Sequence, residues 1–149
     1  MTRSNAREIA LHLVFEMNFN SVSADEVLES LMNETYYPSL KSEADIYEEK
    51  PDNKQLQYLY EVTRGVEAGR ERLDGYIAKY AIGWNLNRIS KVARAIMQIA
   101  MFESLYVEDV PTAAAINEAV ELTRKYEDED VVSFVNGILG GFAREIEAQ

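Results

Sequence analysis

The fold is decided by one long amphipathic stretch, residues 52–83, which reads DNKQLQYLYEVTRGVEAGRERLDGYIAKYAIG. Apolar residues recur in it at gaps of three and four, the spacing that places side chains on one face of an α-helix. Asp52 and Gln55 can cap this helix and Gly83 can end it, which predicts a helix roughly 40 Å long. Its stripe consists of Leu59, Val62, Val66, Gly69, Leu73, Tyr76 and Tyr80. Because Gly69 lies on the stripe, we expect a neighbouring helix to approach closely there.

The rest of the chain has the same character, since only three prolines and seven glycines interrupt it. Further helices are predicted over about residues 4–18, 24–33, 90–105, 111–126 and from the acidic segment 127–130 onward. The first helix is apolar beyond a single face, so it is either central or reserves a second face for a partner. We therefore predict an all-α fold of two packed helical subdomains.

The boundaries of this architecture follow from the same pattern. We expect a single domain over residues 1–149, with an N-terminal half over about 1–83 and a C-terminal half over about 84–149. Asn5 with Glu8, and Ser23 with Glu26, are expected to cap the first two helices. The polar segment from Glu34 to Pro51 has no clear periodicity and is predicted to be a mobile connection.

Composition excludes several classes of function. The 149 residues contain no cysteine, so disulfides, thiol nucleophiles and cysteine zinc sites are excluded. His12 is the one histidine, which argues against multi-histidine metal sites and Ser-His-Asp catalysis. No apolar run reaches the roughly 18 residues of a membrane span, and the N-terminus lacks a signal core, so the cytoplasm is the expected compartment.

The net charge of −11 argues against nonspecific binding to nucleic acids or anionic membranes. The acids are clustered, however, and residues 83–102 contain Arg88, Lys91 and Arg94 but no acid. A small basic surface on an acidic body is therefore compatible with the sequence.

Candidate chemical groups elsewhere have plain structural explanations. The carboxylate pairs Glu118–Glu121 and Glu67–Glu71 each share a helix face, where solvent exposure is commoner than metal binding. Asn117 and Asn136 lie inside apolar helices, and we expect them to cross-link neighbouring helix ends rather than contact a ligand. By residue type alone, Phe134 is expected to pack in the core.

The most specific motifs lie in the last third of the chain. Residues 110–122 read VPTAAAINEAVEL, and residues 134–139 read FVNGIL. Together with RAIMQIAMFE at 94–103 and AREIALHLVF at 6–15, they follow one another in the order seen in a known family. The chain resembles the NusB family, the bacterial transcription antitermination factors.

The resemblance implies an all-α fold and a binding function without catalysis, cofactor or metal. Family members bind boxA, a single-stranded RNA element in the leaders of ribosomal RNA operons. They do so together with NusE, a small-subunit ribosomal protein, and the pair joins an antitermination complex on RNA polymerase.

The family's RNA contacts, carried over by position, fall on Arg3, Arg7 and Phe134. The two arginines would hold phosphates, and Phe134 would be a stacking surface, which reverses the expectation from residue type alone. Asp130 matches an acidic position near the RNA, where a carboxylate would restrain binding by repelling phosphate.

The family's contact with NusE falls on Phe15 in the first helix and on the surroundings of Ala93 and Arg94. Phe15 lies off the main apolar face of its helix, which is consistent with an exposed anchor.

The sequence departs from the family pattern at several positions. The arginine run of the first helix is reduced to Arg3-Ser4-Asn5, Ser133 replaces a basic residue, and the acidic segment 127–130 replaces a glycine-containing turn. An acidic residue is also missing at Ala93. We therefore expect weak binding to RNA by the isolated protein and a greater dependence on the partner.

Two other functions are compatible with these residues. The first is a protein–protein adaptor of the same fold with little intrinsic RNA affinity, which could form a homodimer through the first helix. The second is an accessory domain of an RNA methyltransferase. We expect no cofactor-binding domain after residue 149, so the chain could only be a fragment of such an enzyme, without methyl transfer of its own.

Overall fold

The longest helix forms where its sequence predicts it. The computed structural model describes residues 1–33, 47 and 49–149, and in it α3 (Asn53–Tyr80) is continuous. The Asp52 carboxylate accepts a hydrogen bond of 2.9 Å from the backbone N–H of Gln55. Beyond the helix, Gly83 adopts a φ of +83°, a left-handed conformation that glycine reaches without steric cost.

Every regular element in the described part of the chain is a helix, which confirms the all-α class. Besides α3, these are α1 (Arg3–Asn20), α2 (Ala24–Met32), a short 3-10 helix (Leu86–Arg88), α4 (Lys91–Tyr106), α5 (Thr112–Tyr126) and α6 (Glu129–Glu147).

Of the three N-terminal caps expected from the sequence, those at Asp52 and Ser23 form and the one at Asn5 does not. Ser23 accepts a hydrogen bond from the N–H of Glu26, as the capping pattern predicts. The predicted cap at Asn5 was wrong, because Thr2 caps α1 by accepting from the N–H of Asn5. The Thr2 hydroxyl stands three residues before Asn5, so it satisfies a free N–H and lets the helix begin earlier.

The chain divides into two compact units, residues 1–68 and residues 69–149. This boundary lies inside α3, whereas the sequence pattern suggested a division near residue 83. The apolar stripe continues without interruption through the middle of α3, so no local signal marks the boundary there.

In the first unit, α1 packs against α2. Leu11 and Val14 are buried as fully as the main face of α1, so this helix is central in its unit. The largest buried side chains of the unit come from three helices: Ile9, Leu11, Met17, Leu28, Leu31 and Leu59.

In the second unit, α4, α5 and α6 pack against one another pairwise. Their core includes Leu73, Ile77, Ile96, Met97, Leu139 and Phe142. The close approach predicted at Gly69 was wrong, since a methyl group there would have no neighbour within 4 Å. The close approach is at Gly141, where a Cβ atom would lie 2.5 Å from Cδ1 of Tyr80.

The connection predicted to be mobile, from Glu34 to Pro51, falls mostly outside the described residues.

Candidate nucleic-acid interface

Phe134 lies at the surface of the second unit, in contact with an aromatic residue that the sequence analysis did not single out. Its partly exposed side chain stands in the second turn of α6. The ring meets the ring of Trp84 edge to face, with centroids 5.2 Å apart and planes at 62°. Trp84 itself is 57% exposed. The expectation of core packing for Phe134 was therefore wrong, and the ring is accessible for stacking.

An open cleft of about 320 Å³ adjoins these two rings. It is lined by Trp84, Arg88, Ile89, Ser90, Ala93, Asp130, Val131 and Phe134. Asp130 and Phe134, two of the four residues expected to act on RNA, thus share one cleft. They do so because they lie four residues apart on α6, about one helical turn.

Local backbone chemistry explains how Trp84 comes to line the cleft. Gly83 turns the chain after α3, and the N–H of Trp84 donates to the carbonyl of Ala81 at 3.0 Å. Ser90 then caps α4 by accepting from the N–H of Ala93. A large aromatic residue in the short connection between a left-handed glycine and a helix cap was the signal that could have identified Trp84.

The two arginines of the first unit are engaged with their own chain. The Nε–H of Arg3 donates to Oε1 of Gln55 at 2.9 Å, and its guanidinium lies 4.2 Å from the ring centroid of Tyr58. Arg7 is 7% exposed, and its guanidinium lies 6.0 Å from the same ring. Only Arg3 therefore presents part of its side chain to solvent, and cation–π attraction holds it in place.

The aromatic residue expected to contact a partner protein is accessible. Phe15 is partly exposed and stacks on Phe19, with ring centroids 5.6 Å apart and planes at 12°. Phe19 is 58% exposed and was not singled out from the sequence. Late in α1, the first unit thus presents a pair of stacked rings of the kind enriched in protein interfaces.

The other expected partner residues are less accessible. Ala93 is fully buried beneath the cleft, so its methyl group offers no accessible surface to a partner. Arg94 donates to both carboxylate oxygens of Asp74, which also accepts from Gln98 at 2.9 Å. The Arg94 guanidinium is thereby committed to an ion pair within its own unit.

The remaining candidates have structural roles or face solvent. Glu67 accepts a hydrogen bond of 2.7 Å from the N–H of Ala24 and so satisfies a free donor at the start of α2. His12 is partly exposed, and its Nδ1 lies 2.7 Å from the hydroxyl of Tyr47. The predicted cross-links by Asn117 and Asn136 were wrong, because both side chains are exposed.

No group of three or more potential metal-ligating side chains occurs among the described residues. Within the same residues, no helix is long and apolar enough to cross a membrane.

Comparisons with known proteins agree with the resemblance noted in the sequence. The model of the NusB family matches residues 4–144. The transcription antitermination protein NusB of Clostridium kluyveri is 37% identical over 151 residues, which cover 97% of each chain. That of Clostridium perfringens strain SM101 is also 37% identical, over 99% of this chain and all of its own length.

Solved structures show the same fold. NusB of T. maritima superposes with a TM-score of 0.79 at 29% identity, over 97% of this chain and 92% of its own. A crystal structure of the antitermination factors NusB and NusE in complex with dsRNA contains a chain with a TM-score of 0.75 at 17% identity, over 96% of both chains. At that identity the second likeness shows the fold alone.

Proposed function

This chain belongs to the NusB family, and from that premise we propose that it is a transcription antitermination factor that binds single-stranded boxA RNA. In this proposal it acts in the cytoplasm with NusE, on the leaders of ribosomal RNA operons. It supports antitermination by RNA polymerase through binding alone, without cofactor or catalysis.

The observation that carries the proposal is the accessibility of Phe134 beside an open cleft. Single-stranded RNA is recognised through unstacked bases on aromatic side chains. A phenylalanine sealed in the core could not take part, whereas this ring lies partly exposed against Trp84. Asp130 lines the same cleft, so its carboxylate lies where it would repel a phosphate of the bound strand.

Binding by the isolated chain is proposed to be weak. The net charge is −11, and the two arginines of α1 make contacts within their own unit. A phosphate must compete with Gln55 and Tyr58 for Arg3, so electrostatic attraction supplies little of the affinity. NusE would then supply additional contacts to the strand.

Fluorescence anisotropy of a labelled boxA RNA, with and without NusE of the same organism, tests the function. We expect weak binding by the chain alone at physiological salt and much tighter binding by the pair. Absence of binding in both cases would refute the RNA-binding function. Tight binding by the chain alone would refute the dependence on the partner.

A second function, that of an adaptor between proteins, is favoured by the stacked pair of Phe15 and Phe19. These exposed rings would serve a protein contact whether or not RNA binds. In this reading the chain associates with NusE or with a second copy of itself without gaining affinity for RNA. Sedimentation of the chain alone and with NusE distinguishes a homodimer, a heterodimer and a monomer.

A further inference from the structure

Trp84 is the one tryptophan of the chain and is more than half exposed. Exposing so large an apolar ring forgoes the free energy that its burial would supply. The position of the ring is nonetheless defined, because one of its sides contacts Phe134. Trp84 therefore offers a fixed, flat surface to solvent, and the RNA contacts implied by the family resemblance do not include it.

The two rings form a corner, not a parallel slot. Their planes meet at 62° with centroids 5.2 Å apart, so no flat group can slide between them. A flat group can instead stack on one ring and place its edge against the other. Behind this corner lie Ile89 and Ala93, which are 7% and 0% exposed and close the inner side of the cleft with apolar atoms.

Arg88 gives this corner an electrostatic character that suits a nucleotide. Its side chain is exposed and lines the same cleft, where Asp130 is the one acidic residue among the lining residues. A nucleotide combines a flat base with a phosphate one sugar away. An aromatic corner with a neighbouring cation complements both parts, whereas a wholly apolar protein side chain would leave the cation unused.

On the basis of the RNA-binding function proposed above, we propose that Trp84 is a second base-stacking residue. One unstacked base of the single-stranded RNA stacks on the ring of Trp84, with its edge against the ring of Phe134. Arg88 contacts the phosphate attached to that nucleotide. All three residues belong to the second unit, so the subsite is complete within residues 69–149.

The fluorescence of Trp84 provides a direct test, since no other residue contributes tryptophan emission. Labelled boxA RNA serves as the probe for affinity, and unlabelled boxA RNA serves for the fluorescence titration, each with the chain–NusE pair. The NusE used lacks tryptophan, either naturally or by substitution, so that all tryptophan emission comes from Trp84. We expect the emission to be quenched as RNA is added, until it reaches saturation. The midpoint of the quenching should fall at the same RNA concentration as the midpoint of the anisotropy titration.

Substitutions then measure the contribution of the ring. Trp84→Ala should weaken RNA binding by about 5- to 150-fold, the loss that removing one base-stacking partner produces. Trp84→Phe should retain most of the affinity because a flat face remains. Ile82→Ala is the matched control: Ile82 is 86% exposed in the same connection but does not line the cleft, so we expect no change.

Arg88→Gln tests the phosphate contact separately. It should lower the slope of log affinity against log salt by about 0.7, the value for one phosphate on a single strand. A duplex RNA of the same sequence should not quench Trp84, because its bases are already stacked and paired.

The outcomes separate this inference from the function on which it rests. If wild-type protein and NusE bind the RNA but Trp84→Ala binds equally well, the subsite is refuted and the function stands. If Trp84→Ala weakens only the association with NusE, the corner is a protein contact and the subsite is again refuted. If wild-type protein binds no RNA, with or without NusE, the function itself fails. Circular dichroism of each variant excludes loss of fold as the cause.

Discussion

At the start of α1 two arginines are held by their own chain, whereas near the start of α6 an aromatic corner stands open. Arg3 is bound to Gln55 and covers the ring of Tyr58, and Arg7 is buried. Phe134 and Trp84 contact each other but leave a cleft of about 320 Å³ beside them. Cations that already have partners gain little from a phosphate, while an exposed ring gains the whole stacking energy of a base.

If the chain binds RNA as proposed, we expect the affinity to come chiefly from the aromatic corner of Trp84 and Phe134. On a chain with a net charge of −11, long-range attraction of phosphate is weak. Stacking requires no net charge and is insensitive to salt. We therefore expect the RNA complex of this protein to depend on salt less steeply than complexes built on free arginines.

The largest expected effect sets the two regions directly against each other. Phe134→Ala should weaken RNA binding by about 5- to 150-fold, because a stacking surface is lost. Arg3→Gln should cost only about two- to threefold, because its contacts with Gln55 and Tyr58 already compete with phosphate. Anisotropy titrations of both variants with NusE present would measure the difference. A greater loss of RNA affinity for Arg3→Gln than for Phe134→Ala would show that the arginine, and not the aromatic corner, dominates binding.

The second effect concerns the helix that carries Phe134. Gly141→Ala places a methyl group against the ring of Tyr80, and we expect a loss of about 1–3 kcal/mol in the free energy of unfolding. Gly137→Ala is the matched control in the same helix. It meets no neighbour within 4 Å and should gain about 0.5–1 kcal/mol from helix propensity. Urea denaturation measures the free energy of unfolding of both variants. Equal values would show that the Tyr80 side chain moves aside without cost.

A smaller effect is expected at Asp130, where the aromatic corner carries an unfavourable charge. Asp130→Asn should tighten RNA binding by about two- to fivefold, since a carboxylate near a phosphate is repelled by roughly 1 kcal/mol or less in water. Glu147→Gln, at the other end of α6, changes the net charge by the same amount and serves as the control. The gain should shrink as salt is raised. Equal gains in the two variants would attribute the effect to net charge alone.

The smallest effect is a pH dependence of stability in the second unit. Hydrogen bonds from Lys79 and Tyr80 hold the pKa of Glu145 below its ordinary value of 4.5. The carboxylate therefore stabilises the fold above that value, and the contribution is lost as the pH falls through the lowered pKa. Thermal unfolding is measured from neutral pH to about pH 3. As the pH falls, the unfolding temperature should decrease less for Glu145→Gln than for wild type. Glu147→Gln is the control and should show the same pH dependence as wild type. If Glu145→Gln also shows the wild-type pH dependence, the link between the lowered pKa of Glu145 and stability is contradicted.

Much of the fold could be read from the sequence because helices are set by local chemistry. The gaps of three and four in residues 52–83 predicted α3, and Ser23 marked the cap of a further helix. Each of these signals involves residues only a few positions apart, so it can be recognised in the sequence. The cap of α1 was misread because Thr2 and Asn5 both carry suitable oxygens, and only the formed helix distinguishes them.

The candidate site could be read only in part. The motif at residues 134–139 identified Phe134 and the family, but the pairing of Phe134 with Trp84 joins residues 50 positions apart in the sequence. Asp74, the partner of Arg94, lies 20 positions away on α3, and burial of Ala93 depends on the packing of α4. Contacts across that separation leave no mark on local spacing.

By itself, the sequence determined the helical class, most helix boundaries and the family, because hydrophobic periodicity, capping residues and motifs are local properties. Tertiary structure alone decided which side chains remain available to a ligand. It enclosed Ala93 and Arg7, committed Arg3 and Arg94 to neighbours, and left Trp84 exposed beside Phe134. The physical reason is that accessibility depends on all the atoms that pack around a group, and these come from helices far apart in the chain.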